Sequence, residues 1–525
     1  MPSTPPPSPH IAQLLAQAEA AWNAGELERC EQLARQTLSQ WPESAMAWNL
    51  LGMVASRYGQ LEQAAQLMTQ AAKLDATQAQ IRTNLAIVLS QLGELAQASA
   101  LLAQTLEFAP EHETAWQLLA QLLEMQGQFA EQADVLRQAH ARCPGSLTLQ
   151  LMLSDALNTM GEHVQAAKLA ADVTHRYPKF ADGWSCLGCA QEKLGQIDAA
   201  RQSLQRAIAL KPQEGQLHVN LAHLELLVGN FADGWREYEW RFSCQQSAPL
   251  PGLSAPRWQG EPINGKVLLL WPEQGHGDTL QFCRYAQLLA TRGARVWLVC
   301  VPALWPLLAQ GAPGIERLLP PEQAAAEAGQ VDFWAPLLSL PQLTESGDDP
   351  LGYLVPYLHP EPQRQARWRA RLDALPPGRR IGLIWSGNPL NGNNPTRALP
   401  RAQLAALAGL DNVQWISLQM GAEGRQAPPE GLSWHAWGDE ITDFADTAAI
   451  VSQLDLLIST DTGPAHLAGA LGAPTWLLVQ RVPDWRWGLN GEQCASYPSM
   501  RLFRQREQGD WASVMRAVRA ALLAG

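Results

Sequence analysis

The densest set of chemically capable residues lies in Ser459-Thr-Asp-Thr-Gly-Pro-Ala-His-Leu-Ala-Gly-Ala-Leu-Gly-Ala-Pro474. An apolar run ends in Asp461-Thr462-Gly463, and a helix of small residues begins at once, with His466 one turn inside. Free backbone N–H groups and the dipole at a helix start suit a phosphate. On that reading Asp461 holds a ribose or caps the helix, while Thr462 and Gly463 approach a diphosphate. A capped helix packed closely through Ala and Gly accounts for the same residues. A second Gly-rich turn, Glu273-Gln-Gly-His-Gly-Asp278, also follows an apolar run. It offers two proton acceptors: Asp278, a carboxylate on a glycine turn, and His276, whose neutral imidazole suits base work near neutral pH. Capping of the helix from Thr279 is the structural alternative for Asp278. Arg397 and Arg486 are candidates for leaving-group charge, and Gln419, at a strand end, for a contact to a base. Trp485 and Trp487 read as packing. No Asp-x-Asp occurs, so that metal-binding signature is missing and no metal site is expected.

These residues need a scaffold that ends several strands at one place. Runs 267–271, 296–301 and 331–334 are short and apolar, as buried parallel strands are, with a helical stretch over 279–292. After a Pro-Pro-Gly break at 376–378 a second set follows at 380–385, 414–418, 454–459 and 474–479. Two Rossmann-like lobes are expected, with a cleft where strand ends face each other, and ligands bind at such clefts.

The first half has a different period. Leu51, Leu85, Leu119, Leu153, Leu187 and Leu221 recur every 34 residues, as do Gly25, Gly59, Gly93, Gly127, Gly161, Gly195 and Gly229. Pro42, Pro110, Pro144, Pro178 and Pro212 keep the same spacing, and Trp48, Trp116 and Trp184 mark alternate repeats. This is the tetratricopeptide period, a stack of helix pairs forming an α-solenoid. Glycine permits the turn inside each pair, and proline ends the second helix. Cys186 and Cys189 form a C-x-x-C, but the residues between them fall on repeat positions, so a repeat role is favoured over redox or zinc binding. A solenoid of this kind offers a surface to extended peptides or proteins.

Hydrophobic content of 46% with 17% charged residues fits a soluble globular chain, and 525 residues suggest two to four domains. The net charge of -12, without a basic run, argues against nucleic acid and anionic membranes. The most apolar stretch, 296–308, contains Pro302 and Pro306 and is too short to span a bilayer. With no signal-peptide pattern and scattered cysteines, a cytoplasmic location is expected. The expected organisation is a disordered start over 1–10, repeats over 11–243, a linker over 244–265 whose aromatic neighbours favour docking, a first lobe over 266–375, and a second over 376–525 closed by a C-terminal helix.

The Asp461-Thr-Gly and His466-Leu-Ala-Gly-Ala-Leu-Gly motifs resemble the nucleotide-binding signature of the heptosyltransferases, glycosyltransferase family 9. Gly277-Asp278 is similar to that family's Gly-Asp after strand one, whose Asp is assigned as catalytic base. Thr396-Arg397 resembles its basic donor-phosphate residue, and Trp385 and Asn388 open that loop, which departs from the usual pattern at Asn394 and Ala398. Gly234-Trp-Arg-Glu-Tyr-Glu-Trp-Arg241, Glu273-Gln-Gly-His-Gly-Asp-Thr-Leu-Gln-Phe282, Asp484-Trp-Arg-Trp487 and Tyr497-Pro-Ser-Met-Arg-Leu-Phe-Arg-Gln505 resemble bacterial tetratricopeptide–glycosyltransferase fusions, which include flagellin glycosyltransferases. The resemblance implies a GT-B module after the solenoid and inverting, metal-independent sugar transfer without a cofactor. The donor would be a nucleotide sugar, and the acceptor a protein such as flagellin held by the repeats. Asn84 and Asn220 resemble two rungs of the asparagine ladder of O-GlcNAc transferase, but the other equivalent positions are not asparagine. Two rivals remain: a binding protein whose transferase half only senses a nucleotide sugar, and a transferase for a lipid-linked glycan.

Overall fold

The computed structural model describes residues 8–244, 252–346 and 354–524. Residues 1–7 of the expected disordered start and 245–251 of the expected linker lie outside the described residues; Pro9 and His10 already belong to the first helix. The chain divides into two compact units, Met1–Val173 and Thr174–Gly525.

The first unit is built of helix pairs: Pro9–Asn23 with Leu27–Gln40, Ala45–Arg57 with Leu61–Leu74, Ala79–Gln91 with Leu95–Phe108, Glu113–Met125 with Phe129–Arg142, and Leu147–Thr159 with His163–Arg176. Each pair turns on its repeat glycine, which adopts a left-handed φ between 71° and 83°. Only glycine takes that conformation without a Cβ clash. The tryptophan column does more than pack. The indole N–H of Trp48 donates to the carbonyl of Pro42 at 2.8 Å, and Trp116 does the same to Pro110 at 2.8 Å, tying each first helix to the loop before it. Inside a pair the helices come close enough that a Cβ on Gly52 would sit 2.5 Å from Cγ of Met68.

The second unit opens with two further pairs, Ala181–Lys193 with Ile197–Leu210 and Gly215–Leu227 with Phe231–Tyr238. Trp184 again donates to Pro178, and in the last repeat His218 takes over the tryptophan position and faces the Pro212 carbonyl at 3.0 Å. A 3-10 turn, Glu239–Ser243, ends the helices. Two parallel sheets follow. The first contains β1 (Val267–Trp271), β2 (Arg295–Val299), β3 (Ile315–Leu319) and β4 (Phe333–Pro336), in the order β3-β2-β1-β4. The second contains β5 (Arg379–Ile384), β6 (Val413–Ser417), β7 (His435–Ala436), β8 (Leu456–Thr460), β9 (Thr475–Val479) and β10 (Met500–Arg504), in the order β10-β9-β8-β5-β6-β7.

The expected helix over 279–292 is two helices, His276–Phe282 and Tyr285–Thr291. The helix Pro362–Asp373 lies ahead of the break at 376–378, yet Trp368 and Leu372 join the core of Ile384, Ile416 and Leu457. The second core therefore recruits chain from before residue 376. The C-terminal helix, Trp511–Ala524, closes the other face of the same sheet through Val514, Met515 and Val518. No helix among the described residues is long and apolar enough to cross a membrane.

Candidate functional site

Strand order reverses direction at β1 and β4 in the first sheet and at β5 and β8 in the second. Crevices open at the carboxyl ends of strands at such switch points. The loop after β1 carries His276, Gly277 and Asp278, the loop after β5 runs from Trp385 to Arg397, and the loop after β8 carries Asp461, Thr462 and Gly463. The helices His276–Phe282 and Gly463–Ala470 pack on each other at their starts. A Cβ on Gly277 would lie 2.9 Å from the His466 ring, and one on Gly469 would lie 2.4 Å from the Tyr497 ring. The small residues are therefore what allows this approach.

Asp278 forms an ion pair with Arg486. Arg486 also donates to Asp484 at 2.9 Å and to the Gln281 side chain at 2.6 Å, so all three of its nitrogens are engaged. Burial pushes the Asp278 carboxyl above its ordinary value; Asp484 adds to the rise, while Arg486 and backbone N–H groups oppose it. For Asp484 burial acts in the same upward direction, but Arg486 reverses it and leaves the carboxyl below its ordinary value.

Beside this cluster lies a second. Asp461 is raised by burial first and by Asp484 second, against the pull of Arg397 and Arg486. The Trp487 indole N–H also favours the Asp461 carboxylate, although it closes no full hydrogen bond. His466 stacks on Trp487 at 5.1 Å, shares a 3.0 Å hydrogen bond with the Tyr497 hydroxyl at Nδ1, and places Nε2 3.8 Å from Asp461. Burial, reinforced by Arg486, drives its imidazole down to about 3, so it is neutral at physiological pH. Arg397 lies over Gly387, and its Nε is buried without a hydrogen-bond partner. Asp278, Asp461, Asp484 and Arg486 keep between 9% and 33% of their side-chain surface although protein mass crowds each of them. These groups are crowded by protein yet still reached by solvent.

The other sequence candidates are placed differently. Trp385 is a core side chain, 1% exposed, because it ends a central strand and packs under Trp434. Gln419 has its amide committed to the β5 loop: it accepts from the N–H groups of Trp385 and Ser386 and donates to the Ser386 carbonyl. Both side chains are held within the fold, and the Trp385 indole nitrogen is buried without a hydrogen-bond partner. Asn388 is exposed and caps its own turn by accepting from Leu390 N–H. His276 is exposed with its ring against Phe444, and Thr462 is the buried cap residue of its helix. Sequence reasoning assigned no role to Asp484 or Tyr497 individually, although both lie within quoted motifs. Only contact with distant charges gives them one.

The support comes from the end of the repeats. Arg241 is 8% exposed and bonds both oxygens of Glu273, which also accepts from Leu338 N–H. The Tyr238 hydroxyl accepts from Gln274 at 2.6 Å. Both carboxyl-end contacts of β1 are thereby fixed ahead of Asp278. Behind the site Arg284 donates to Ser496 O and the Tyr357 hydroxyl at 3.0 Å each and lies over the Tyr497 ring.

Family models described as tetratricopeptide repeat match residues 15–79, 56–122, 113–156 and 181–214. The helix pairs are tetratricopeptide repeats. The chain is similar to Protein FlbA from Caulobacter vibrioides, 28% identical over 373 residues that cover 66% of this chain. It spans 62% of that relative's length. Among solved structures it is similar to the TPR protein YrrB, described as having an unusual peptide-binding site (19% identity, 34% of this chain and 92% of that one, TM-score 0.30). It is also similar to a tetratricopeptide repeat protein from Parabacteroides merdae (16% identity, 44% and 91%, TM-score 0.37). At these scores the likeness carries no argument about function.

Proposed function

We propose that this chain is an inverting, metal-independent glycosyltransferase of GT-B type that moves a sugar from a nucleotide-sugar donor to a protein recruited by its repeats, flagellin being the candidate that sequence resemblance suggests. The observation that carries the reading is the convergence of Asp278, Arg486, Asp461, Arg397 and His466 on strand-end loops of two parallel sheets.

In this reading Asp278 takes the proton of the acceptor hydroxyl as that oxygen bonds to the anomeric carbon and the bond to the nucleotide breaks. Arg397, whose Nε has no partner, and the start of the helix Gly463–Ala470 receive the leaving phosphate charge. Arg486 must loosen from Asp278 before it can join them, which ties exposure of the base to arrival of an anion. Neutral His466 and Asp461 shape the adjoining floor.

The test is to incubate the purified chain with a panel of nucleotide sugars and measure released nucleotide, then compare Asp278→Asn. Turnover of one donor by the native chain, lost in the variant, supports the reading. No turnover of any donor, with intact surface proteins unchanged in mass when the chain is deleted from cells, overturns it.

A further inference from the structure

The last two repeats share the crevice's compact unit, and the last of them packs against one of its turns. The helix Gly215–Leu227 packs against the Trp485–Trp487 turn that carries Arg486. From that helix the His223 ring lies 5.6 Å from the Tyr238 ring, and the Tyr238 hydroxyl accepts from Gln274, four residues before Asp278. Lys193 ends the first helix of the preceding repeat, held by Glu192 at 2.8 Å, and two residues on, the Gly195 Cβ position is 3.9 Å from Nη2 of Arg481. His223 keeps an exposed ring, yet protein surrounds it on most sides, and the charges that act on it are Asp484, Glu192, Lys193 and Arg486. Lys193 likewise feels Asp484.

The 34-residue period makes this position meaningful. Stepping back from His223 gives Cys189, Asp155, Gln121, Ile87 and Met53, each at least partly accessible. Asp155, Gln121, Ile87 and His223 are exposed in this column, whereas Met53 and Cys189 also pack against neighbouring core residues. Its last member, His223, lies on the helix that packs against the Trp485–Trp487 turn.

We propose that His223 and Lys193 form the acceptor-side wall of the transfer site, holding an extended, hydroxyl-bearing peptide segment so that its hydroxyl reaches Asp278 beside the Trp485–Trp487 turn. This rests on the transferase reading above. The His223 ring offers one donor and one acceptor to the segment's backbone, and Lys193 offers donors to its carbonyls. The repeats then do more than recruit: their final column is part of the reaction site.

The test uses the full chain in cells lacking the native copy, carrying wild type, Asp278→Asn, His223→Ala, Lys193→Ala or His223→Gln. Intact masses of surface proteins report transfer, and release of nucleotide by the purified chain without acceptor reports the donor side. Loss of a peptide hydrogen bond of this kind reduces transfer about tenfold in His223→Ala and Lys193→Ala. Acceptor-free nucleotide release stays within about twofold of wild type, and His223→Gln recovers most of the transfer. Full transfer by both alanine variants overturns the proposal while leaving the transferase reading intact. So does an equal fall in acceptor-free release, which marks a general disturbance of the crevice. Absence of any modified protein with wild type removes the transferase reading and this inference together.

Discussion

The repeats and the crevice are built on opposite principles of distance along the chain. In the solenoid, Trp116 reaches a carbonyl six residues away, and the turn glycine acts on its own φ. In the crevice, Asp278 and Arg486 are separated by 208 residues, and Arg284 and Ser496 by 212. Short-range rules repeat, so they leave a period in the sequence. Long-range meetings happen once, and they alone create the desolvated charges that could do chemistry. Stability is thus distributed over many similar joints in one region, while the other gathers like charges whose burial costs energy.

The sharpest test of that contrast is Asp278→Asn. On the proposed reading it lowers transfer by about 10²- to 10⁴-fold, the range for loss of a general base, while Arg486 stays held by Asp484 and Gln281 and the fold is retained. Activity assays paired with circular dichroism check both halves of that statement.

A smaller effect should appear in pH. His466 has a depressed folded value, so its contribution to stability is complete above its ordinary 6.5 and is lost as pH falls toward about 3. Near pH 5 the wild type should have lost about 2 kcal/mol of stability relative to neutral pH that His466→Gln does not lose. Denaturant titrations at several pH values measure the slope, and equal slopes for the two chains would remove His466 as the cause.

The repeat region should respond only locally. Gly52→Ala drives a methyl into Met68 and the Ala64 carbonyl, and overpacking of this kind costs about 1–3 kcal/mol. Acceptor-free nucleotide release should be unchanged. Smaller still is Gly59→Ala, where open space surrounds the new methyl but φ is 75°. The left-handed conformation alone should cost about 1 kcal/mol. If Gly59→Ala proves as damaging as Gly52→Ala, backbone strain rather than packing governs the joints. Thermal midpoints of the two variants decide the matter.

Much of the fold was legible in the sequence because its signals are local. The glycine column reads directly as left-handed turns, and the apolar runs for β1, β5, β8 and β9 fall within two residues of the strands. β3, β7 and β10 were not read: Ile315–Leu319 and Met500–Arg504 mix charge with apolar residues, as edge strands do, and His435–Ala436 is too short to carry a pattern. The site was half legible. Asp278, Asp461 and His466 announced themselves by small-residue turns, and Arg486 only as a cation between two tryptophans, whereas Trp385 and Gln419 occupy strand ends that look the same whether they face a ligand or hold the loop.

By itself the sequence determined the helix-pair period, its glycine turns and its proline stops, because each depends on sterics within a few residues. Tertiary structure alone decided that one arginine engages Asp278 and Asp484, that Arg397 keeps a buried nitrogen unpartnered, and that the helix Gly215–Leu227 of the last repeat packs on the Trp485–Trp487 turn. Burial and Coulombic coupling are properties of neighbours in space, and no spacing along the chain encodes them.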